Sequence, residues 1–419
     1  MTHRISLPDG FLWGVATAGH QNEGDNVASD TWFLEHTTPS LFREPSGPAC
    51  RGYERWETDL DLVAGLGLNA FRFSVEWARI EPEPGVVSTE ALDHYEHMVD
   101  GCLARGLAPL VTFNHFTAPH WFATVGSWTS PDAPSRFAEQ CDRVMARFGD
   151  RIAYAVTLNE PNLEQLLQTG GKLPAEAELL KTQMLAAAAR AAGSADYAAS
   201  NVIPAARQEE FQEALTHAHR AAREAIKARR GDLPVGVSLA IADEVAVPGG
   251  EERRDAKRAA VYDHWLREAR DDDFIGVQNY ERIVHGPDGE VAVDGELNGM
   301  GTAIAPGSLA GAARYAHEVS GVPVLVTEHG IQTSDDTQRA AFIPAAIDGL
   351  AAEISAGTPV LGYCHWTLMD NFEWIFGYGA QLGLHEVDRE TFHRRPKPSA
   401  TAYADVVRAY RGMLTDTAS

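Results

Sequence analysis

The chain has 419 residues, of which 44% are hydrophobic, so it can bury a large core. That length fits either two or three average domains or one large α/β barrel with long loops. With 35 basic against 59 acidic side chains, the formal net charge is −24 at pH 7. This charge argues against nucleic acid or an anionic membrane as a partner, because both are bound through basic surfaces.

Two features of the sequence bear on where the protein works. Residues 1–10 contain no apolar core of a signal peptide, and no stretch approaches the roughly 18 apolar residues of a membrane span. The cysteines lie far apart and form no Cys-x-x-Cys pair; they are Cys50, Cys102, Cys141 and Cys364. We expect free, buried thiols and a cytoplasmic protein, since disulfides are rare in that compartment.

Short apolar runs rich in β-branched residues recur eight times along the chain, each closed by polar, Gly or Pro residues. They are Phe11–Thr17, Ala70–Phe73, Ala108–Phe113, Ala153–Leu158, Val235–Ala240, Phe274–Val277, Val322–Thr327 and Val360–Trp366. Helical patterns lie between most of them, at Tyr53–Gly65, Thr89–Arg105, Ser135–Phe148, Gln208–Arg230, Gly307–Ser320 and Thr337–Ala356. Eight alternations of strand and helix predict an α/β fold, a (β/α)8 TIM barrel.

No long or low-complexity linker interrupts this pattern, so we expect residues 1–419 to form a single domain. The stretch Gly170–Asn201 is rich in alanine and predicts a helical insertion after the fourth strand. Loops on that side of a barrel shape the mouth of the site. The insertion therefore either controls access for part of a ligand or is a pair of solvated helices without ligand contact, and the sequence leaves both open.

Two glutamates each follow a predicted strand. Asn159, Glu160 and Pro161 come directly after the fourth run, and Glu328 comes directly after the seventh. The carboxyl ends of the strands form the active-site mouth of a parallel barrel, so both side chains are expected there. Two carboxyl groups aimed into one mouth are the minimum equipment for hydrolysis of a glycosidic bond.

Other polar and aromatic residues fall at the same strand ends. They are Gln21, Arg72, Asn114, His115, Asn159, Asn279, Tyr280 and Trp366, with Glu373 and Trp374 shortly after the last strand. Amides, an imidazole, a carboxylate and indoles together match a polyol that has an apolar face. Taken singly, several of these residues are also compatible with ordinary core or surface positions.

Cleavage of a glycoside needs one carboxyl that is protonated and one that is ionised. In our interpretation Glu160 is the acid/base and Glu328 the nucleophile, with Arg72 and Tyr280 stabilising the ionised form of Glu328. A separation of roughly 5–5.5 Å between the two groups would predict retention of configuration and roughly 6.5–9.5 Å inversion. The sequence does not decide between these distances.

Five blocks of sequence resemble the signatures of family 1 glycoside hydrolases, and they occur in the family's order. The blocks are Phe-Leu-Trp-Gly-Val-Ala-Thr-Ala with Gln-Asn-Glu-Gly (11–24), Phe-Arg-Phe-Ser-Val-Glu-Trp-Ala-Arg-Ile (71–80), Thr-Leu-Asn-Glu-Pro (157–161), Val-Thr-Glu-His-Gly (326–330) and Trp-Thr-Leu-Met-Asp-Asn-Phe-Glu-Trp (366–374). The resemblance implies a retaining β-glycosidase on a (β/α)8 barrel, without a metal or organic cofactor.

The resemblance also assigns roles to individual residues. It implies that Glu160 is the acid/base, that Glu328 is the nucleophile, and that Arg72 and Tyr280 orient and stabilise Glu328. The substrate-binding set that it implies is Gln21, His115, Asn159, Trp366, Glu373 and Trp374, with Trp366 as the sugar platform. The chain has a carboxylate at this position, Glu373, and in this it resembles the family members that act on unphosphorylated sugars.

The chain departs from the family pattern at a few positions, which we expect around the mouth and on the leaving-group side. His329 stands in place of Asn, Thr117 in place of Asp, and Gln278-Asn279-Tyr280 in place of Asn-Tyr-Tyr. Gln381-Leu382-Gly383 replaces the usual Arg-Phe-Gly pattern. These changes leave the chemistry of the two carboxyl groups intact and bear on the identity of the leaving group.

The predicted function is hydrolysis of the terminal non-reducing β-linked glucose of small glycosides or oligosaccharides by double displacement, with galactose and fucose as further glycones. Transglycosylation by the same two glutamates is one alternative, and a carbohydrate-binding barrel without catalysis is another. The partner is a small-molecule glycoside; nucleic acid and membranes are not expected, and self-association stays open.

Overall fold

Eight parallel strands close into one barrel in the structure, a computed structural model that describes residues 7–171 and 175–416. In chain order the strands are Leu12–Ala16, Ala70–Ser74, Ala108–Asn114, Tyr154–Asn159, Val235–Ala240, Phe274–Asn279, Val324–His329 and Val360–Trp366. Each strand pairs in parallel with the next, and the eighth returns to pair with the first. The predicted (β/α)8 barrel is confirmed, and all eight predicted runs are its strands.

Helices surround the barrel between the strands. The six predicted helices are present as Gly52–Gly65, Thr89–Ala104, Ala133–Phe148, Gln208–Arg229, Ser308–Ser320 and Asp336–Ala356. Further helices are Asp30–Glu35, Leu163–Thr169, Ala175–Ala192, Glu251–Val261, Asp263–Glu268 and Pro398–Asp416, with single turns at Gly19–Asn22, Trp77–Ile80 and His120–Ala123. Ala175–Ala192 lies within the predicted insertion, of which residues 172–174 lie outside the described part.

Two small sheets sit beside the barrel. One combines Asp243–Ala246, Arg282–His285 and Glu290–Val291, and the other combines His385–Val387 with Arg394–Pro396. All four cysteines are free and buried, as predicted. Within the two described stretches, no helix combines the length and the apolar character needed to cross a bilayer.

The barrel interior separates an apolar floor from a polar mouth. Side chains at alternate strand positions, including Leu12, Ala70, Leu110, Phe274 and Cys364, form an apolar cluster of their own. The intervening positions join the large cluster that packs the strands against the helices. Because successive strand residues face opposite sides, the inward set ends in polar residues at the carboxyl ends of the strands.

Two of the strands carry one extra residue just before that end. Between the sixth and seventh strands, Val326 pairs with Val277 but Glu328 pairs with Gln278. Between the fourth and fifth strands, the register likewise shifts by one residue before Asn159. An extra residue of this kind reverses the side to which the following side chains point. It therefore turns Asn159 and Glu328 toward the inside.

Candidate active site

Glu328 is held by three donors at the mouth of the barrel. Arg72 Nη1 lies 2.5 Å from Oε1, and Gln278 Nε2 donates to the same oxygen at 2.9 Å. Tyr280 Oη donates to Oε2 at 2.6 Å. Burial raises the pKa of Glu328, while the charge of Arg72 and the hydrogen bond from Tyr280 oppose that rise. The three donors therefore favour the ionised carboxylate.

Asn159 is tied into the same cluster through its carbonyl oxygen. Its Oδ1 accepts from Arg72 Nη2 at 2.5 Å and from Gln278 Nε2 at 2.8 Å. Its amide Nδ2 is buried and has no hydrogen-bond partner among the described residues. A buried donor of this kind is costly to leave unpaired, so it is available to a ligand oxygen.

Glu160 has a different environment. Burial raises the pKa of its carboxyl well above the ordinary value, and the negative charge of Glu328 raises it further, with Arg72 acting in the opposite sense. Its backbone lies at φ +45°, which a non-glycine residue rarely adopts. The backbone N–H of Glu160 donates to Ser238 O at 2.8 Å, which fixes the residue in this position. The arrangement favours a protonated carboxyl beside the ionised Glu328.

A second cluster at the mouth centres on Glu373. Gln21 Nε2 donates to Glu373 Oε2 at 3.2 Å and to Phe372 O at 2.9 Å. Burial raises the pKa of Glu373 to about 8, the charge of Glu328 adds to the rise, and hydrogen bonds from Gln21 and Trp366 reduce it. Gln21 Oε1 has no partner within the described residues. This cluster therefore offers both a carboxyl group and an unused amide oxygen to hydroxyl groups of a ligand.

Aromatic rings form a wall next to these polar groups. The His115 ring is within 14° of parallel to Trp366 at a centroid distance of 5.7 Å, and within 8° of parallel to Trp374 at 6.2 Å. Burial lowers the pKa of His115 well below its ordinary value, so the imidazole is neutral at pH 7. Its Nδ1 is buried without a partner in the described part of the chain. Indole faces and a neutral imidazole suit the apolar face and the hydroxyls of a sugar.

The structure gathers the ten predicted site residues into one site: hydrogen bonds and ring contacts connect nine of them in two groups, and the charge of Glu328 acts on Glu160 and on Glu373. The residues are Gln21, Arg72, His115, Asn159, Glu160, Tyr280, Glu328, Trp366, Glu373 and Trp374. Asn279 and Asn114 do not join it, contrary to our expectation. Asn279 Nδ2 donates instead to Ile241 O at 2.9 Å, and Asn114 Nδ2 to Thr117 O at 2.8 Å. Both side chains therefore hold the backbone of segments that follow barrel strands.

Sequence reasoning missed two contributors to the site. Gln278 was treated only as a departure from the family pattern, yet it bonds both Asn159 and Glu328. The His20 ring lies within 7° of parallel to Trp374 at 5.7 Å, and Glu35 Oε1 holds His20 Nε2 at 2.8 Å. Strand alternation was the signal available for Gln278. The contact of His20 with Trp374 joins residues over 350 positions apart, and the sequence carries no signal for it.

His329 does not lie at the mouth, which corrects our expectation for this departure. Its Nδ1 is 3.0 Å from Tyr363 Oη, and its ring stacks on Phe342 at 4.8 Å. Residues following one another on a strand face opposite sides, so His329 points to the helix layer while Glu328 points inward. The change from Asn to His at this position alters packing behind the seventh strand.

Comparison with known proteins decides the family. A family model described as glycosyl hydrolase family 1 matches residues 3–284 and 291–411. The chain belongs to glycosyl hydrolase family 1. Thermostable beta-glucosidase B of Thermobispora bispora is 31% identical to it, with 96% of this chain and 91% of the relative covered. This family 1 chain is a glycosidase of the β-glucosidase type, as the sequence predicted.

Solved structures of the family agree over nearly the whole chain. Beta-glycosidase BGL167 has a TM-score of 0.90 and 48% identity, with 96% of this chain and 97% of that chain covered. The beta-glucosidase of Thermotoga maritima in complex with deoxynojirimycin has a TM-score of 0.82 and 25% identity, with 97% and 99% covered. The barrel of this family 1 protein is therefore that of its relatives.

Proposed function

We propose that Glu328 is the nucleophile and Glu160 the acid/base of a retaining β-glucosidase that removes terminal non-reducing glucose from small β-glycosides. The observation that carries this assignment is the contrast between the two carboxyl groups. Three donors surround Glu328, whereas burial and the charge of Glu328 raise the pKa of Glu160. One shared proton therefore resides on Glu160.

In the first step Glu328 attacks the anomeric carbon, and Glu160 donates its proton to the leaving oxygen. Arg72 and Tyr280 hold the attacking carboxylate by its two separate oxygens, Oε1 and Oε2. Holding the nucleophile in one orientation removes part of the entropy cost of the reaction. A covalent glycosyl-enzyme results, and the aglycone leaves.

The second step uses a change in charge. Once Glu328 is esterified, it no longer carries the negative charge that raises the pKa of Glu160. The pKa of Glu160 therefore falls, and its carboxylate can take a proton from water. Water then attacks the anomeric carbon from the face that the aglycone left. Two inversions give net retention.

The cluster around Glu373 would bind the sugar ring. We assign Gln21 and Glu373 to hydroxyl groups at the far side of the ring and Asn159 to a hydroxyl near the anomeric carbon. Trp366 and Trp374 would contact the apolar face. Glucose is supported by the names of the relatives, among them beta-glucosidase A of Thermotoga maritima, which is 30% identical to this chain. Glu373 offers no positive charge to a sugar 6-phosphate and repels it whenever its carboxyl is ionised, so unphosphorylated glycosides are the proposed substrates.

We further propose that the enzyme works in the cytoplasm. The four free, buried cysteines support that location, because secreted proteins more often pair theirs in disulfides.

The proposal is tested by mixing the protein with a panel of p-nitrophenyl β-glycosides and following the first product by proton NMR. We expect cleavage of the glucoside, with β-glucose appearing before mutarotation, and little cleavage of the glucoside 6-phosphate. The galactoside and fucoside rank the remaining glycones in the same assay. Initial release of α-glucose would mean inversion and would contradict the assigned roles.

A further inference from the structure

His20 lies behind the aromatic wall of the candidate active site. Its side chain is completely buried, so it offers no surface to a sugar. Its ring is nonetheless within 7° of parallel to the indole of Trp374, at a centroid distance of 5.7 Å. Trp374 itself is only half-buried. The stack on Trp374 is therefore a contact through which His20 can act on a bound glycoside without touching it.

A buried carboxyl group fixes the orientation of the His20 ring. Glu35 Oε1 lies 2.8 Å from His20 Nε2, and the Glu35 side chain is also completely buried. At the other ring nitrogen, Asn26 Nδ2 lies 3.4 Å from Nδ1, and it donates to Glu76 Oε2 at 2.8 Å. Since an amide nitrogen only donates, Nδ1 is the acceptor and the ring proton lies on Nε2, pointing to Glu35. Contacts at both nitrogens thus hold the imidazole in one plane.

The same carboxyl group is connected to the short 3-10 helix that contains Trp374. Ser46 donates from N and Oγ to Glu35 Oε2 at 2.9 and 2.7 Å. The carbonyl oxygen of Ser46 accepts from the hydroxyl of Tyr378, which belongs to that 3-10 helix. The 3-10 helix is therefore held at two points, by the ring stack at Trp374 and through Ser46 at Tyr378.

Two further rings contact Trp374, but neither is anchored in this way. The His115 ring lies within 8° of parallel at 6.2 Å, and the Phe116 ring meets the indole edge-on at 5.1 Å. His115 Nδ1 has no partner in the described part of the chain, whereas His20 has contacts at both ring nitrogens. Of these three rings, His20 is therefore the one whose orientation is fixed by polar contacts at both ring nitrogens.

We propose that His20, held by Glu35, is a positioning residue that keeps the indole of Trp374 in the orientation that receives the sugar ring. Trp374 needs such support, because its backbone lies at φ +46°, which a residue other than glycine rarely adopts. The inference rests on the proposed function, in which Trp374 contacts the apolar face of the sugar.

Loss of the support should weaken binding more than it slows the chemistry. Contact with the face of the sugar is made in the bound substrate and in the transition state alike, so it lowers KM and leaves kcat. His20→Gln removes the ring but keeps an N–H within reach of Glu35. We expect KM for p-nitrophenyl β-glucoside to rise about three- to tenfold, the size of one aromatic contact, with kcat changed by less than about twofold.

A double-mutant cycle separates positioning from a general structural effect. If His20 acts through Trp374, then Trp374→Ala already lacks what His20 supplies, and adding His20→Gln should not raise KM further. His264→Gln is the matched control in the helix layer, because His264 Nε2 lies 2.8 Å from Thr216 Oγ1 and its ring meets Trp265 edge-on at 5.6 Å. The control should leave KM unchanged.

His20→Phe tests the part played by Glu35, because it keeps a ring and removes the N–H. KM should rise less than in His20→Gln and stay above the wild-type value, whereas a wild-type KM would overturn the role of Glu35. An unchanged KM in His20→Gln, or the same fold-rise with and without Trp374, would overturn the positioning role. The proposed function fails separately, in a wild-type chain that cleaves none of the glycosides, and this inference then falls with it. Thermal unfolding checks that each variant is folded.

Discussion

Glu160 and Glu328 have the same side chain, and their surroundings alone make them different. Glu328 receives hydrogen bonds from Arg72, Gln278 and Tyr280, whereas burial and the charge of Glu328 dominate the environment of Glu160. The electrostatic link between the two carboxyl groups follows from this arrangement. It makes the protonation of one group depend on the charge of the other.

That link predicts the effect of removing one charge. Glu328→Gln removes the negative charge that raises the pKa of Glu160. The pKa of Glu160 should therefore fall, while burial keeps it above the ordinary value of a glutamate. Carbon-13 NMR of protein labelled at the glutamate carboxyl groups would follow this titration directly.

Glu373→Gln is the matched control, because Glu373 contributes less than Glu328 to the same pKa. It should lower the pKa of Glu160 by a smaller amount. An unchanged pKa in Glu328→Gln would mean that the two groups are not electrostatically linked.

Tyr280 gives a second prediction at this scale. Tyr280→Phe removes the donor 2.6 Å from Glu328 Oε2, so the pKa of Glu328 should rise. Because Glu328 must be ionised to attack, the acidic limb of the kcat/KM profile should move to higher pH. The value of kcat/KM should fall on the order of tenfold to hundredfold, as expected for loss of a hydrogen bond to a charged group. Steady-state kinetics across the pH range would measure both effects.

Tyr315→Phe is the control for this variant. Its hydroxyl donates to Asp263 at 2.8 Å, on the helix layer. The control should keep the wild-type pH profile. A Tyr280→Phe enzyme with lower activity but an unmoved acidic limb would show that Tyr280 acts by packing alone.

The sequence predicted most of the residues at the mouth, and its errors at Gln278, Asn279 and His329 have one cause. It located Glu160, Glu328 and their neighbours because they follow apolar runs. It placed Asn279 at the mouth and passed over Gln278, although adjacent residues of one strand point to opposite sides. The extra residue in the seventh strand, which aligns Glu328 with Gln278, has no signature in the sequence.

At the scale of elements, the same irregularity recurs in both strands that carry the glutamates. The fourth and seventh strands each gain one residue just before Asn159 and Glu328. Without it, the regular alternation would direct both side chains toward the helices. Local backbone geometry thus decides which polar residues reach the mouth. Sequence patterns predicted six helices between the strands and all barrel strands, but missed the helix Pro398–Asp416 and the small sheets, whose strands have two to four residues.

A buried ion pair joins two elements that lie far apart in the chain. Arg394, in the second small sheet, contacts both oxygens of Asp59 in the helix Gly52–Gly65, at 2.8 and 3.0 Å. Arg394→Met would leave Asp59 buried and uncompensated, which costs about 3–5 kcal/mol of unfolding free energy. Urea unfolding would measure the loss, and Asp59→Asn added to Arg394→Met should recover part of it.

The loss should depend on pH. Burial raises the pKa of Asp59 and Arg394 opposes the rise, so without Arg394 that pKa lies further above its value in the unfolded chain. The charged form is then the unfavourable one, and the destabilisation should shrink as the pH falls and Asp59 takes up a proton. Arg408→Met, which removes an exposed partner of Asp405, should leave the unfolding midpoint nearly unchanged. A pH-independent loss in Arg394→Met would mean that packing, and not the charge of Asp59, is responsible.

For the molecule as a whole, barrel closure gathers residues from almost the entire chain into one site. Gln21 and Glu373 are 352 positions apart, yet they are joined by a hydrogen bond. The eightfold alternation predicts this closure, and membership of glycosyl hydrolase family 1 agrees with it. The pocket lined by Leu185, Tyr197 and Phe211, beside the helix Ala175–Ala192, was not predictable, because it depends on how that helix packs against distant segments. The net charge of −24 does not repel a glycoside that is itself uncharged.

The most direct measurement is to supply azide to Glu160→Ala and to Glu328→Ala during cleavage of 2,4-dinitrophenyl β-glucoside, whose leaving group needs no acid. In Glu160→Ala, azide should intercept the glycosyl-enzyme on Glu328 and give β-glucosyl azide. In Glu328→Ala, azide should replace the missing nucleophile and give α-glucosyl azide. NMR of the products distinguishes the two anomers. The same anomer from both variants, or the opposite pairing, would contradict the assignment of nucleophile and acid/base.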